Sequence, residues 1–109
     1  MVEYTHELDS IFLSLSDGPR RDILRLLNIY EKMSVSDIAI HYRLTFAAVS
    51  KHLMVLERAK LIHKRKTGRK QMIRLNASAF QTADEYLKQY EQLWHDRFNR
   101  LEKVLQERK

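Results

Sequence analysis

The 109-residue chain has no cysteine, one proline and two glycines. Without thiols there is no disulfide framework, no thiolate metal site and no cysteine nucleophile. So few glycines and prolines exclude an all-β chain built on many tight turns, and helices are expected to dominate. Long apolar runs are missing too. The longest, such as Phe46 to Val49, is four residues, which leaves nothing able to span a membrane. Met1 to Glu7 has none of the apolar core of a signal peptide, so a cytoplasmic protein is expected. The length allows one small domain over 1–109, and a domain of that size gains from burying surface against a second copy.

Positive charge is what the chain has in excess, and its distribution is uneven. Twenty Lys and Arg stand against 14 Asp and Glu, a net charge of +6. Residues 1–57 hold six basic and eight acidic side chains, and residues 79–109 hold six of each. The excess therefore falls on Arg58, Lys60, Lys64, Arg65, Lys66, Arg69, Lys70 and Arg74, a stretch without a single acid. Protein surfaces normally intersperse the two signs, so a one-sign segment points to a polyanionic partner, nucleic acid first.

Apolar periodicity supplies the scaffold. Leu8, Ile11, Phe12 and Leu15 predict a helix ending near Ser16. Pro19 suits the first position of a second helix with the stripe Ile23, Leu26, Leu27 and Tyr30. Ser34, three residues before Asp37, opens a short third helix with the face Val35, Ile38, Ala39, and Thr45 can cap a fourth with Val49, Leu53 and Leu56 inward. Leu61-Ile62 and Met72-Ile73-Arg74-Leu75 then flank Gly68, the pattern of a two-stranded hairpin with a basic tip. Asn76 or Ser78 can cap a last helix of nearly thirty residues, roughly 40 Å long. Its stripe is Phe80, Ala83, Leu87, Tyr90, Trp94, Phe98, Leu101 and Leu105, and it outruns any core so small a domain can build. Part of it should face another chain. The expected fold is mainly α (α+β), in the order α-α-α-α-β-β-α.

The segments 35–41 and 45–59 have the anatomy of a helix–turn–helix. Ala39 is small where the helices cross, and Ile38, Leu44, Val49 and Leu53 are apolar where the pair packs inward. The helical period then turns Phe46, Ala47, Ser50, Lys51 and Met54 outward. A basic hairpin directly after such a helix is the wing of a winged helix–turn–helix, whose helix enters the major groove while the hairpin lies along phosphates or the minor groove.

Three runs carry a family resemblance: Leu15-Ser16-Asp17-Gly18-Pro19-Arg20-Arg21-Asp22-Ile23-Leu24, then Ser34 to Ala39, then Ala48-Val49-Ser50-Lys51-His52-Leu53 through Leu61-Ile62. In this order, over nearly the whole chain, the sequence resembles the ArsR-type family of bacterial winged-helix repressors. The resemblance implies a homodimer on an inverted-repeat operator in double-stranded DNA, released when a ligand biases it. It implies pairing through the first and last helices, on Leu8 and Phe12 with Leu87, Tyr90, Trp94, Phe98 and Leu101. By position, Thr45, Phe46, Ala47, Ser50, Lys51 and His52 fall where the recognition helix meets DNA, and Lys64, Arg65, Lys66, Arg69 and Lys70 form the wing. Lys51 can donate to guanine and Ala47 or Phe46 can touch a thymine methyl. His52, between the two faces, reads as a half-buried structural or phosphate-contacting residue rather than a pH sensor.

Departures from the family bear on the signal. Where its thiolate sensors place a Cys-Val-Cys-Asp-Leu-like motif, this chain has Ser34-Val35-Ser36-Asp37-Ile38, and hydroxyls replace thiolates poorly toward soft ions. Its zinc sensors put Asp/His and His-x-x-His pairs on the last helix. Here Asp84, Glu85, Glu91, His95 and Asp96 are available, but Phe98 stands three residues after His95. No cofactor and no metal are expected, and the effector has no signature. The other readings are a metal- or small-molecule-responsive repressor of the same family and, from other classes, an RNA-binding or protein-interaction module or an enzyme. Aromatics for base stacking are absent from the basic segment, and the five scattered histidines converge on no catalytic site.

Overall fold

The computed structural model describes residues 6–107. Five helices and three strands follow in the order α1 (His6–Leu15), α2 (Gly18–Tyr30), β1 (Lys32–Ser34), α3 (Val35–Tyr42), α4 (Phe46–Arg58), β2 (Ile62–Thr67), β3 (Lys70–Leu75) and α5 (Ala77–Glu107). This is the mainly α winged helix–turn–helix, with one strand more than the periodicity suggests. β1 is three residues long, too short to show alternation, and it exists because its backbone pairs antiparallel with β3. The sheet order is β1-β3-β2.

Local chemistry sets most boundaries. The carboxylate of Asp17 accepts from the Arg20 amide at 3.1 Å, so the segment that breaks α1 also starts α2, with Pro19 in the first turn. Ser34 Oγ accepts from the Asp37 amide and Thr45 Oγ1 from the Ala48 amide, each at 3.1 Å, as their spacing suggests. Arg43 closes α3 in the left-handed conformation, and the Leu44 amide reaches back to the Ala39 carbonyl. Asn76 does two jobs. Its Oδ1 accepts from the Ser78 amide at the start of α5, and its side-chain nitrogen donates to the Lys60 carbonyl at 2.7 Å.

The core gathers Ile11, Ile23, Leu27, Ile38, Val49, Leu53, Leu56, Leu61 and Ile73. Two expected core positions lie outside it. Tyr30, at the last turn of α2, is exposed because the chain leaves the helix there, and Leu44 is exposed because the turn that holds its backbone carries its side chain outward. Leu24, absent from the expected stripe of α2, is buried. Only the first turns of α5 join the core, through Ala79, Ala83 and the half-buried Phe80.

Candidate nucleic-acid interface

Helix α4 is held from behind by Val49, Leu53 and Leu56, none of which has accessible surface. That fixes its rotation, and the opposite face presents Phe46, Ala47, Lys51 and Met54 to solvent, with Thr45 exposed at the cap. Ser50 and His52 lie half-buried on the flanks. The imidazole of His52 is turned away from the exposed face: Nδ1 sits 3.6 Å from the Asp17 carboxylate.

Asp17 belongs to a junction that apolar periodicity does not disclose. Its carboxylate caps α2 and lies 3.7 Å from the Arg20 guanidinium. Arg20 donates in turn to the Ser14 carbonyl at 2.8 Å and to that of Leu13, while Arg21 donates to the Leu15 carbonyl at 2.7 Å. Two guanidinium groups thus bond to the last carbonyls of α1, where cations are also favoured by the helix dipole. These arginines are structural, and His52 brings α4 beside the same junction. The signal was the adjacency of Asp17, Arg20 and Arg21, which spacing alone does not assign to a cap.

The wing is the β2–β3 hairpin, in register from Ile62 opposite Leu75 to Thr67 opposite Lys70. Its two-residue turn opens on Gly68 at φ 63°, the left-handed conformation that such tight hairpins demand. Arg65, Lys66, Arg69 and Lys70 are exposed. Lys64 differs, because alternation turns it toward α4, where its ammonium lies 3.7 Å from Glu57. At the tip, Arg69, Lys70 and Gln71 meet Phe46 across a cleft lined also by the start of α3, Ser34 to Ser36. Phe46, at the start of α4, and the basic tip thereby border one cleft.

The second feature is α5. Phe12 of α1 packs edge-on against Tyr86 at 5.7 Å, and Tyr86 against Tyr90 at 5.2 Å. The two phenol oxygens are 3.0 Å apart, and this hydrogen bond, with Asp9 nearby, pushes the Tyr86 phenol above its usual range. Leu8 is half-buried on the same side of α1. Beyond Tyr86 the helix leaves the body, and Leu87, Tyr90, Trp94, Phe98 and Leu101 stand 46–61% exposed. The carboxylate of Asp84 pairs with Lys88 at 3.1 Å, which raises that amine's pKa, and His95 lies exposed. Among the described residues no three His, Asp or Glu side chains are placed to hold a metal ion, and no helix is long and apolar enough to cross a membrane.

Comparison with known proteins agrees with this architecture. The profile described as "Bacterial regulatory protein, arsR family" matches residues 17–64, from the α2 cap into the wing. The transcriptional repressor SdpR of Bacillus subtilis is 30% identical over 80 residues, which cover 73% of this chain and 88% of the repressor. An ArsR-like transcriptional regulator from Rhodococcus sp. RHA1 superposes with a TM-score of 0.72 at 28% identity, over 90% of this chain and 92% of that one. A homodimeric winged helix–turn–helix DNA-binding domain from Mycobacterium bovis, a possible ArsR-family regulator, shares the fold at a TM-score of 0.64 and 19% identity, over 84% of this chain and 91% of that one.

Proposed function

Because this chain belongs to the arsR family of bacterial regulatory proteins, and is thus a DNA-binding transcriptional regulator rather than an enzyme, we propose that it is a homodimeric repressor that reads an inverted-repeat operator. In each protomer α4 enters the major groove. Phe46, Ala47, Ser50 and Lys51 meet base edges, with Thr45 and His52 at the margins, and Arg65, Lys66, Arg69 and Lys70 lie along phosphates or the minor groove. Lys64, paired with Glu57, contributes less than its neighbours.

The observation that carries this reading is the juxtaposition of the exposed face of α4 with an acid-free basic hairpin at Phe46. Base edges supply discrimination and phosphates supply affinity, and the two surfaces have those two chemistries. Pairing through α1 and α5 is supported by the uncovered stripe from Leu87 to Leu101 and by the homodimeric state of the Mycobacterium bovis relative. Repression is supported by the similarity to a known repressor. A metal-independent signal is supported by Ser34, whose buried hydroxyl is used to cap α3 and leaves no soft ligand there.

The test is a salt titration of Lys51→Ala and Arg69→Ala on an operator selected from random duplexes and on a scrambled duplex. Lys51→Ala should lose about 1–3 kcal/mol of discrimination with non-specific binding nearly intact. Arg69→Ala should weaken both complexes and flatten the slope of log affinity against log salt by about one unit per protomer. If Arg69→Ala removes only sequence preference while Lys51→Ala flattens only the slope, the two roles are reversed. A chelator should leave operator affinity unchanged.

A further inference from the structure

The outer face of the sheet carries a row of basic side chains, two of them cations, that the recognition surface leaves unused. Register places Lys32 of β1 opposite Arg74 of β3, and Arg74 opposite His63 of β2. Directly opposed residues share a face. The adjacent pair, Met33 with Ile73, belongs to the core side, so Lys32, Arg74 and His63 occupy the solvent side, where all three are exposed. Arg65, opposite Met72, forms the next row toward the tip, and these residues line one open groove. Among the described residues no carboxylate lies within ion-pairing distance of Lys32, Arg65 or Arg74.

Like charges directly opposed across strands destabilise a sheet. The row therefore costs the free protein stability that a bound polyanion would return. A single small anion fits poorly, because the groove is open and its lining offers no buried charged donor. A row of basic side chains at strand spacing, about 4.8 Å, suits a partner with several phosphates better, and Arg65 continues it toward the basic tip.

We propose that Lys32, Arg74 and His63 bind phosphates of the duplex flanking the half-site, so that each protomer grips DNA beyond the reach of α4 and the wing tip. This rests on the operator reading above, and the experiment separates the two. Lys32→Gln/Arg74→Gln and the conservative Lys32→Arg/Arg74→Lys are compared with the unaltered protein on the selected operator in two lengths. One duplex ends at the half-sites, and the other extends about ten base pairs, one helical turn, on each side. The unaltered protein should bind the longer duplex more tightly and with a steeper salt slope. The Gln variant should lose that difference, its slope on the long duplex flattening by about two units per protomer and its hydroxyl-radical protection retreating to the half-sites. The conservative variant should keep both. Free in solution, the Gln variant should melt at or above the unaltered temperature as repulsion is relieved.

Unchanged slope and footprint on the long duplex would overturn the proposal, and so would equal losses on both lengths or a lowered melting temperature, which would mark the row as part of the half-site contact or of the fold. If the unaltered protein selects no duplex at all, it is the operator reading that fails.

Discussion

Helices α4 and α5 carry the same kind of apolar stripe and meet opposite fates. In α4, Val49, Leu53 and Leu56 have no accessible surface, because α1, α2, α3 and β2 all pack around that helix. In α5 the equivalent residues from Leu87 to Leu101 are about half exposed, because after Tyr86, which still packs on Phe12, the helix runs past everything in the chain that could cover it. Its 31 residues reach about 46 Å. They give the chain a radius of gyration of 18.9 Å, where a compact chain of this length has about 13 Å. An amphipathic period therefore states that a face needs cover without stating who provides it. The stripe of α4 is satisfied within the chain, and that of α5 calls for a partner.

The sharpest way to break this contrast is at Trp94. Sedimentation at micromolar concentration should give about twice 13.1 kDa, and Trp94→Ala should raise the dimer dissociation constant roughly a thousandfold or more, because each of the two copies loses an anchor worth at least about 2 kcal/mol. A variant as dimeric as the unaltered protein would leave the α5 stripe without its proposed role. Operator affinity should fall with dimerisation, since a monomer reads one half-site.

The next test works on the buried stripe. Leu53→Ala should cost about 2–5 kcal/mol of folding stability through lost burial and an unfilled cavity. The discriminating measurement is concentration dependence. Melting of the Leu53→Ala dimer should fall at every protein concentration, whereas the deficit of Trp94→Ala should grow on dilution. Equal concentration dependence for both would erase the distinction between internal and external cover.

The smallest effect concerns how α4 ends. Lys60 sits at φ 61°, a left-handed backbone that a side chain disfavours, held there by the Lys60 amide bond to the Glu57 carbonyl and by Asn76 on its own carbonyl. Lys60→Gly should stabilise the fold by up to about 1 kcal/mol, read as a rise in the denaturant midpoint without a change of slope. A loss of stability would mean that the Lys60 side chain contributes more packing than its exposure indicates.

Much of the proposed recognition surface is legible in the sequence. The caps Ser34 and Thr45, the inward residues of α4 and the acid-free run from Arg58 to Arg74 all depend on neighbours within a few positions, and such short-range chemistry survives folding unchanged. The pattern was less informative at Tyr30 and Leu44, where periodicity continues but the helix or turn ends before the side chain reaches the core. The junction among Asp17, Arg20 and His52 is not legible for a different reason. It joins α1 to α2 through side-chain hydrogen bonds and sets His52 of α4 beside Asp17, and nothing in the spacing shows which carbonyls an arginine will meet.

By itself, then, the sequence determined the helices, the winged helix–turn–helix order, the outward face of α4 and the sign of the charge beside it, because each follows from local periodicity, capping or composition. Tertiary structure alone decided that Lys32-Met33-Ser34 is a strand, that Lys64 turns to Glu57 while Arg65 faces water, and that Lys32, Arg74 and His63 stand in one row. The physical reason is pairing. A three-residue strand has too little period to declare itself, and its neighbours are chosen by backbone hydrogen bonds to a segment that is distant in the chain and adjacent only once the core has closed.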